Sequence, residues 1–112
     1  MEVRVRRAPG GATVWIQGPI RIDVAPRLRI ELQNAALSAD AQLIVDLSEV
    51  DYIDSAGLAT LLECFKRLQR TGGGMRLVGV NNQIIEIFKV AKLEKIFAIE
   101  GGNGRSVQGE KS

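Results

Sequence analysis

The sequence predicts an α/β fold, a single domain whose mixed β-sheet of about four to five strands is flanked by helices. Three observations carry this. Two period-two segments open the chain, apolar runs then alternate with stripes at helical spacing, and Gly- and Pro-rich punctuation separates them. An opening strand pair followed by helix–strand alternation implies a parallel portion beside the hairpin.

The segments "VRVRR" (3–7) and "ATVWIQG" (12–18), joined through "APGG", read as a hairpin. Val14 and Ile16 share one face; Thr13, Trp15 and Gln17 share the other. Trp15 is thus either partly exposed or covered by the Arg-rich strand. "GPIRIDVAPRLRIELQNAAL" turns at Gly18-Pro19 and becomes a helix from about Ala25 to Leu37, with Asp23 as N-cap and Pro26 in its first turn. Leu28, Leu32, Ala35 and Ala36 form its buried stripe. "AQLIVDLSEV" (41–50) carries the apolar run expected of a central strand buried on both faces.

A second helix is expected from about Ser55 to Arg70. Leu58, Leu61, Leu62, Phe65 and Leu68 make its core stripe, and Glu63, Lys66, Arg67 and Arg70 face water. "TGGG" (71–74) ends it, and "MRLVGV" (75–80) is the next strand. "NNQIIEIFKVAK" (81–92) is a short helix capped by Asn81 or Asn82, with Ile84, Ile87, Phe88 and Ala91 inward. "IFAIE" (96–100) is the last strand. The domain is expected to span 1–100, and "GGNGRSVQGEKS" (101–112) to be a flexible polar tail with nothing apolar to bury.

Composition narrows the function. A chain of 112 residues holds one core, and 46% apolar with 25% charged residues is globular and soluble. No apolar run approaches a membrane span, and "MEVRVRRAPG" has no signal-peptide core, so a cytoplasmic protein without direct membrane insertion is expected. The net charge is +2, and Arg4, Arg6 and Arg7 cluster without interleaved aromatics. They read as an exposed strand face, and no nucleic-acid partner is expected.

With no histidine in the chain, neither a Ser-His-Asp nor a Cys-His triad can be assembled. Cys64, the lone cysteine, is expected to be a half-buried structural thiol with no partner for a disulfide or a metal. The glycines of "TGGG" follow a helix and precede a strand, the wrong end for a phosphate loop. Asp46, Asp51 and Asp54 suggest an acidic phospho-acceptor pocket of the receiver kind. That pocket also needs acids near the end of the first strand, where Arg6 and Arg7 stand, with Gln17 ending the second. No enzyme activity and no cofactor are expected.

What remains is "DSAG" (54–57), at the junction of an acidic connector and a helix. Ser55 is a suitable N-cap, but Asp54 can cap instead and leave the hydroxyl free. Gly57 costs a helix about 1 kcal/mol relative to alanine, which fits a place where another backbone comes close.

The stretch "IVDLSEVDYIDSAGLATLLECFKRLQRTGGGMRLVGV" resembles the central motif of STAS domains, the family of bacterial anti-sigma factor antagonists and of sulphate-transporter cytoplasmic domains. Asp54, Ser55, Ala56 and Gly57 match its Asp-Ser-x-Gly helix opening, and the resemblance extends from about Val14 to Phe97, where "KVAKLEKIF" is similar to the family's closing segment. The resemblance implies a small non-catalytic domain. In the antagonists the serine matching Ser55 is phosphorylated by the anti-sigma factor, itself a serine kinase, and a phosphatase resets the cycle. Asp54, Ala56, Gly57, Arg21 and Asp23 are the partner-binding residues implied. Arg21 stands where antagonists often carry an aspartate (Gly-x-Leu-Asp, here Gly18-Pro19-Ile20-Arg21), with Asp23 two residues on as its substitute. The chain also ends in a Gly-rich tail where many members have a further helix. These departures keep an alternative open, a stand-alone STAS subunit that binds the ATPase of an ABC lipid transporter.

Overall fold

In a computed structural model of the chain the described residues are 1–38 and 40–101, with the last four as backbone. They form a five-stranded sheet and three helices. The hairpin follows the alternation: β1 (Glu2–Ala8) and β2 (Gly11–Gln17) pair antiparallel, Val3 opposite Ile16 and Arg4 opposite Trp15. From β2 the chain alternates through α1 (Ala25–Ala35), β3 (Gln42–Glu49), α2 (Ser55–Arg70), β4 (Gly74–Val80), α3 (Asn82–Val90) and β5 (Ala98–Gly101). Strands β2 to β5 are parallel, and the spatial order β1-β2-β3-β4-β5 follows the chain.

That order decides where the core sits. Crossovers between parallel strands are almost always right-handed. Strands added always on the same side, by crossovers of one hand, place every connecting helix on one face. Burial agrees: Val14, Ile16, Leu43, Val45, Leu47, Met75 and Leu77 are buried under the helices. Thr13, Trp15, Ile44, Asp46 and Val78, pointing the other way, remain partly accessible, and Arg76 is exposed. The expectation of a β3 buried on both faces is therefore corrected. Its helix-side residues are sealed, while the opposite side has no helical layer among the described residues.

α1 packs on β1, β2 and α2, and α2 on β4. Phe97 joins the far end, its ring 5.0 Å from Phe65 of α2 and 5.6 Å from Phe88 of α3. On the open face Arg4 lies over the Trp15 ring at 4.9 Å, so Trp15 is both partly exposed and partly covered. Arg7 is exposed as expected but does not share the face of Arg4 and Arg6. In the antiparallel register it pairs with Ala12 on the helix side. There its guanidinium donates to the Asn34 and Ala35 carbonyls at 2.8 and 3.3 Å, satisfying the C-terminus of α1.

Other boundaries shift for local reasons. α1 stops at Ala35, and Leu37 is exposed. Its N-cap is Val24 without a side-chain bond, because the Arg21 carbonyl accepts from the Val24 and Ala25 amides; Asp23 is exposed and does not cap. Asn81 caps α3, and Ala91, expected inward, is exposed just past the helix end. β5 begins at Ala98, after a turn in which the Ile96 amide donates to the Leu93 carbonyl. Of the expected tail, Gly101 belongs to β5, and residues 102–112 lie outside the described residues.

Candidate functional site

The connections leaving the carboxyl ends of β2, β3 and β4 converge at the start of α2. Residues 18–24 follow β2, residues 50–54 follow β3, and Asn81 follows β4. Ile20 and Ile53 form a parallel bridge, with the Ile20 amide donating to the Tyr52 carbonyl at 2.9 Å and the Asp54 amide to the Ile20 carbonyl at 3.0 Å. Both isoleucine side chains are buried, which anchors two otherwise solvent-facing loops to the core. Asn81 ties in the third, its Oδ1 accepting from the Ile84 amide and its Nδ2 donating to the Val50 carbonyl, each at 3.0 Å.

Asp54 resolves the capping question. Its Oδ1 accepts from the Gly57 amide at 2.9 Å, as an N-cap does, and its Oδ2 accepts from the Ile22 amide at 2.9 Å. One carboxylate thus starts α2 and pins the neighbouring loop. Gly57 is buried beneath this junction. A β-carbon there would stand 2.8 Å from the Ile20 carbonyl oxygen and from the Ile20 and Ile53 Cγ2 atoms. The glycine is the close approach that its helix cost suggested. Ala56 is half-buried, and its carbonyl accepts from the Thr60 hydroxyl at 2.9 Å.

Ser55 is the first residue of α2 and is exposed. With capping done by Asp54, its hydroxyl has no hydrogen-bond partner among the described residues. Arg21, also exposed, lies between the two residues that bond Asp54, and its guanidinium sits over the Tyr52 ring at 5.2 Å. Asp23 lies exposed at the end of the same loop. The loops therefore gather all six residues singled out from the sequence, Arg21, Asp23, Asp54, Ser55, Ala56 and Gly57, at one end of the sheet.

Two neighbours escaped the sequence reading. Ile22 is 71% exposed and Tyr52 43%, so a large apolar and an aromatic side chain stand in the open on the two loops joined at Asp54. The signal for Ile22 was its place in "PIRID", between charged residues just before a helix, where no core stripe claims it. Nothing in "VDYID" distinguished an exposed Tyr52 from a buried one.

The remaining reactive candidates lie elsewhere. Cys64 is buried, beyond the half-burial expected, beside a pocket of about 250 Å³ between the end of α1 and α2. Burial pushes its thiol up to about 11, outweighing the nearby Arg67 that pulls it down, while Glu63 adds to the rise. It is protonated and a poor nucleophile at neutral pH. Asp46 accepts from the Ser48 amide at 2.9 Å in β3, while Asp54 is committed as a cap. Among the described residues no group of acidic or sulfur ligands is placed to hold a metal.

The chain is a one-sided α/β domain whose second helix opens on Ser55, a serine left free of capping. The chain belongs to the STAS domain family, whose pattern matches residues 2–103. The anti-sigma-B factor antagonist of Bacillus subtilis (strain 168) is 31% identical to it over 108 residues, 96% of this chain and 98% of that protein. Among solved structures, an anti-sigma factor antagonist from Mycobacterium paratuberculosis superposes with a TM-score of 0.76 at 23% identity, covering 88% of this chain and 83% of that one. The Bacillus antagonist SpoIIAA matches in its unphosphorylated form (TM-score 0.65, 13% identity, 79% and 82% covered). It also matches in its phosphorylated form (TM-score 0.68, 12% identity, 91% and 94% covered). These structural likenesses concern the fold.

Proposed function

We propose that this chain is a non-enzymatic partner switch of the anti-sigma factor antagonist kind, controlled by phosphorylation of Ser55. Its partner is an anti-sigma factor that is also a serine kinase, a phosphatase restores the unmodified form, and the cycle runs in the cytoplasm. The observation that carries this reading is the free Ser55 hydroxyl: Asp54 has taken over the capping, so modifying Ser55 breaks no bond that holds the fold.

A phosphoserine adds about −1.5 to −2 charges. At the first turn of a helix the macrodipole and free amides favour an anion, so the domain tolerates the group. On a docked surface the same charge costs binding through repulsion and desolvation. Around Ser55 the surface has the composition of a docking patch, with Arg21 stacked on Tyr52 and Ile22 fixed in the open by Asp54. The switch thus acts on association and spares the fold.

The test is a comparison of wild type, Ser55→Ala and Ser55→Asp. All three are expected to give the same circular dichroism spectrum and melting temperature within a few degrees. Ser55→Ala retains the anti-sigma partner in titration calorimetry and takes no phosphate from its kinase, whereas Ser55→Asp binds more weakly. Equal affinity across the three, with no phosphate at Ser55 in cells, would overturn the proposal and favour the transporter ATPase as the partner.

A further inference from the structure

The loops that meet at Ser55 carry charges that do not balance. Asp54 spends both carboxylate oxygens on neutral amides, so neither bond offsets its charge with a cation. Asp51 and Asp23 lie exposed in the same two loops. The one cation within residues 18–24 and 50–54 is Arg21. Its position is fixed by the backbone: Ile20 pairs with Ile53, so the next residue on each segment brings Arg21 beside Asp54. The bonds on either side, from the Asp54 amide to the Ile20 carbonyl and from the Ile22 amide to Asp54 Oδ2, bracket Arg21 closely. Because Ile20 and Ile53 point inward, alternation sends the Arg21 side chain outward, and Ser55, the residue after Asp54, is exposed as well. There its guanidinium rests on Tyr52, and no carboxylate among the described residues forms an ion pair with it.

We infer that Arg21 is the counterion of phosphorylated Ser55, an intramolecular clamp that leaves the Tyr52 ring and donates to the phosphate oxygens. The inference rests on the reading of Ser55 as the modified residue. An exposed cation–π contact is weak, and a charge-assisted arginine–phosphate pair is among the stronger polar contacts, so a phosphate on Ser55 outcompetes the ring for the guanidinium. The local charge gives the same direction. Adding a phosphate beside Asp54, Asp51 and Asp23 concentrates negative charge, and Arg21 is the group placed to offset it. Phosphorylation then alters the surface twice, by adding an anion and by withdrawing the cation from beside Tyr52 and Ile22.

The test installs phosphoserine at position 55 during translation, using an expanded genetic code, so that no kinase is involved. The phosphate is titrated by phosphorus NMR in the otherwise wild-type protein and with Arg21→Gln, Arg21→Lys or Arg70→Gln, the last removing a cation from the far end of α2. A neighbouring cation favours the dianion and lowers the second phosphate pKa. Arg21→Gln is expected to raise that pKa by about half to one unit, Arg21→Lys to raise it less, and Arg70→Gln to leave it unchanged. The Arg21 side-chain Nε–H resonance should also move on phosphorylation. Superimposable titrations for wild type and Arg21→Gln at low salt would overturn the clamp, as would an equal shift in Arg70→Gln. Because the phosphate is placed directly, failure of Ser55 to be phosphorylated in cells would count against the proposed function without imitating either result.

Discussion

Asp54 and Gly57 do at the residue scale what Ser55 is then excused from doing. The carboxylate caps α2 and holds the Ile22 amide, and the glycine lets Ile20 and Ile53 press against the first turn. Gly57→Ala removes an entropic cost inside the helix but puts a methyl 2.8 Å from a carbonyl oxygen, and that oxygen is part of the bridge between the two loops. Overpacking wins over propensity at such a site. The expected cost is about 1–3 kcal/mol, read from denaturant midpoints, with faster amide exchange at Ile22 and Asp54. A midpoint at or above wild type would show that the loops relax freely and that no close approach selects the glycine.

Among the elements, α2 is the one whose two faces differ most in consequence. Leu61, Cys64, Phe65 and Leu68 bury into the core, while its start carries the candidate switch. The buried thiol of Cys64 gives a pH-dependent readout of that packing. Its pKa is about 11 in the fold against 9.0 ordinarily, so the unfolded chain loses the proton first. Between those values the folded state binds more protons, and stability therefore falls as pH rises. Below about pH 9 the thiol contributes no pH dependence. Across the window from about 9 to about 11 the expected loss is roughly 2–3 kcal/mol. Cys64→Ala should flatten this part of the stability–pH curve in urea titrations, and an unchanged slope would show that the thiol is hydrated.

For the whole molecule the governing feature is one-sidedness. A sheet whose strands are added in chain order keeps its helices on one face, so adjacent residues of β3 meet different environments. Val45 is fully buried and Ile44 is half-buried on the open side. Val45→Thr places a hydroxyl where it finds no water, and should cost about 1–3 kcal/mol. Ile44→Thr, on the accessible face, should cost less than half of that. Equal losses in melting temperature would mean that something covers the second face in solution. The same geometry brings the ends of β2, β3 and β4 together and so builds the Ser55 site from segments distant in sequence.

Helix α2 was legible from residue 55 to residue 70 because its stripe is strong and its ends carry Asp-Ser and a glycine run. The hairpin was legible too, because alternation is local, and "DSAG" singled out Ser55 because the motif is contiguous. By itself the sequence determined the succession of elements, the serine, and the absence of histidine chemistry. Only the tertiary structure decided which candidate caps α2, because Ser55 and Asp54 are both competent and the choice depends on Ile22, 32 residues from Asp54. It also decided that one face of β3 stays open, since an apolar run reports hydrophobicity but not strand order. The fate of the N-terminal arginines was likewise a matter of register: pairing with Ala12 turned Arg7 toward the end of α1, while Arg4 stayed with Trp15 on the open face. Local patterns are set by neighbours along the chain, whereas caps, faces and charge partners are set by residues that only folding brings within a few ångströms.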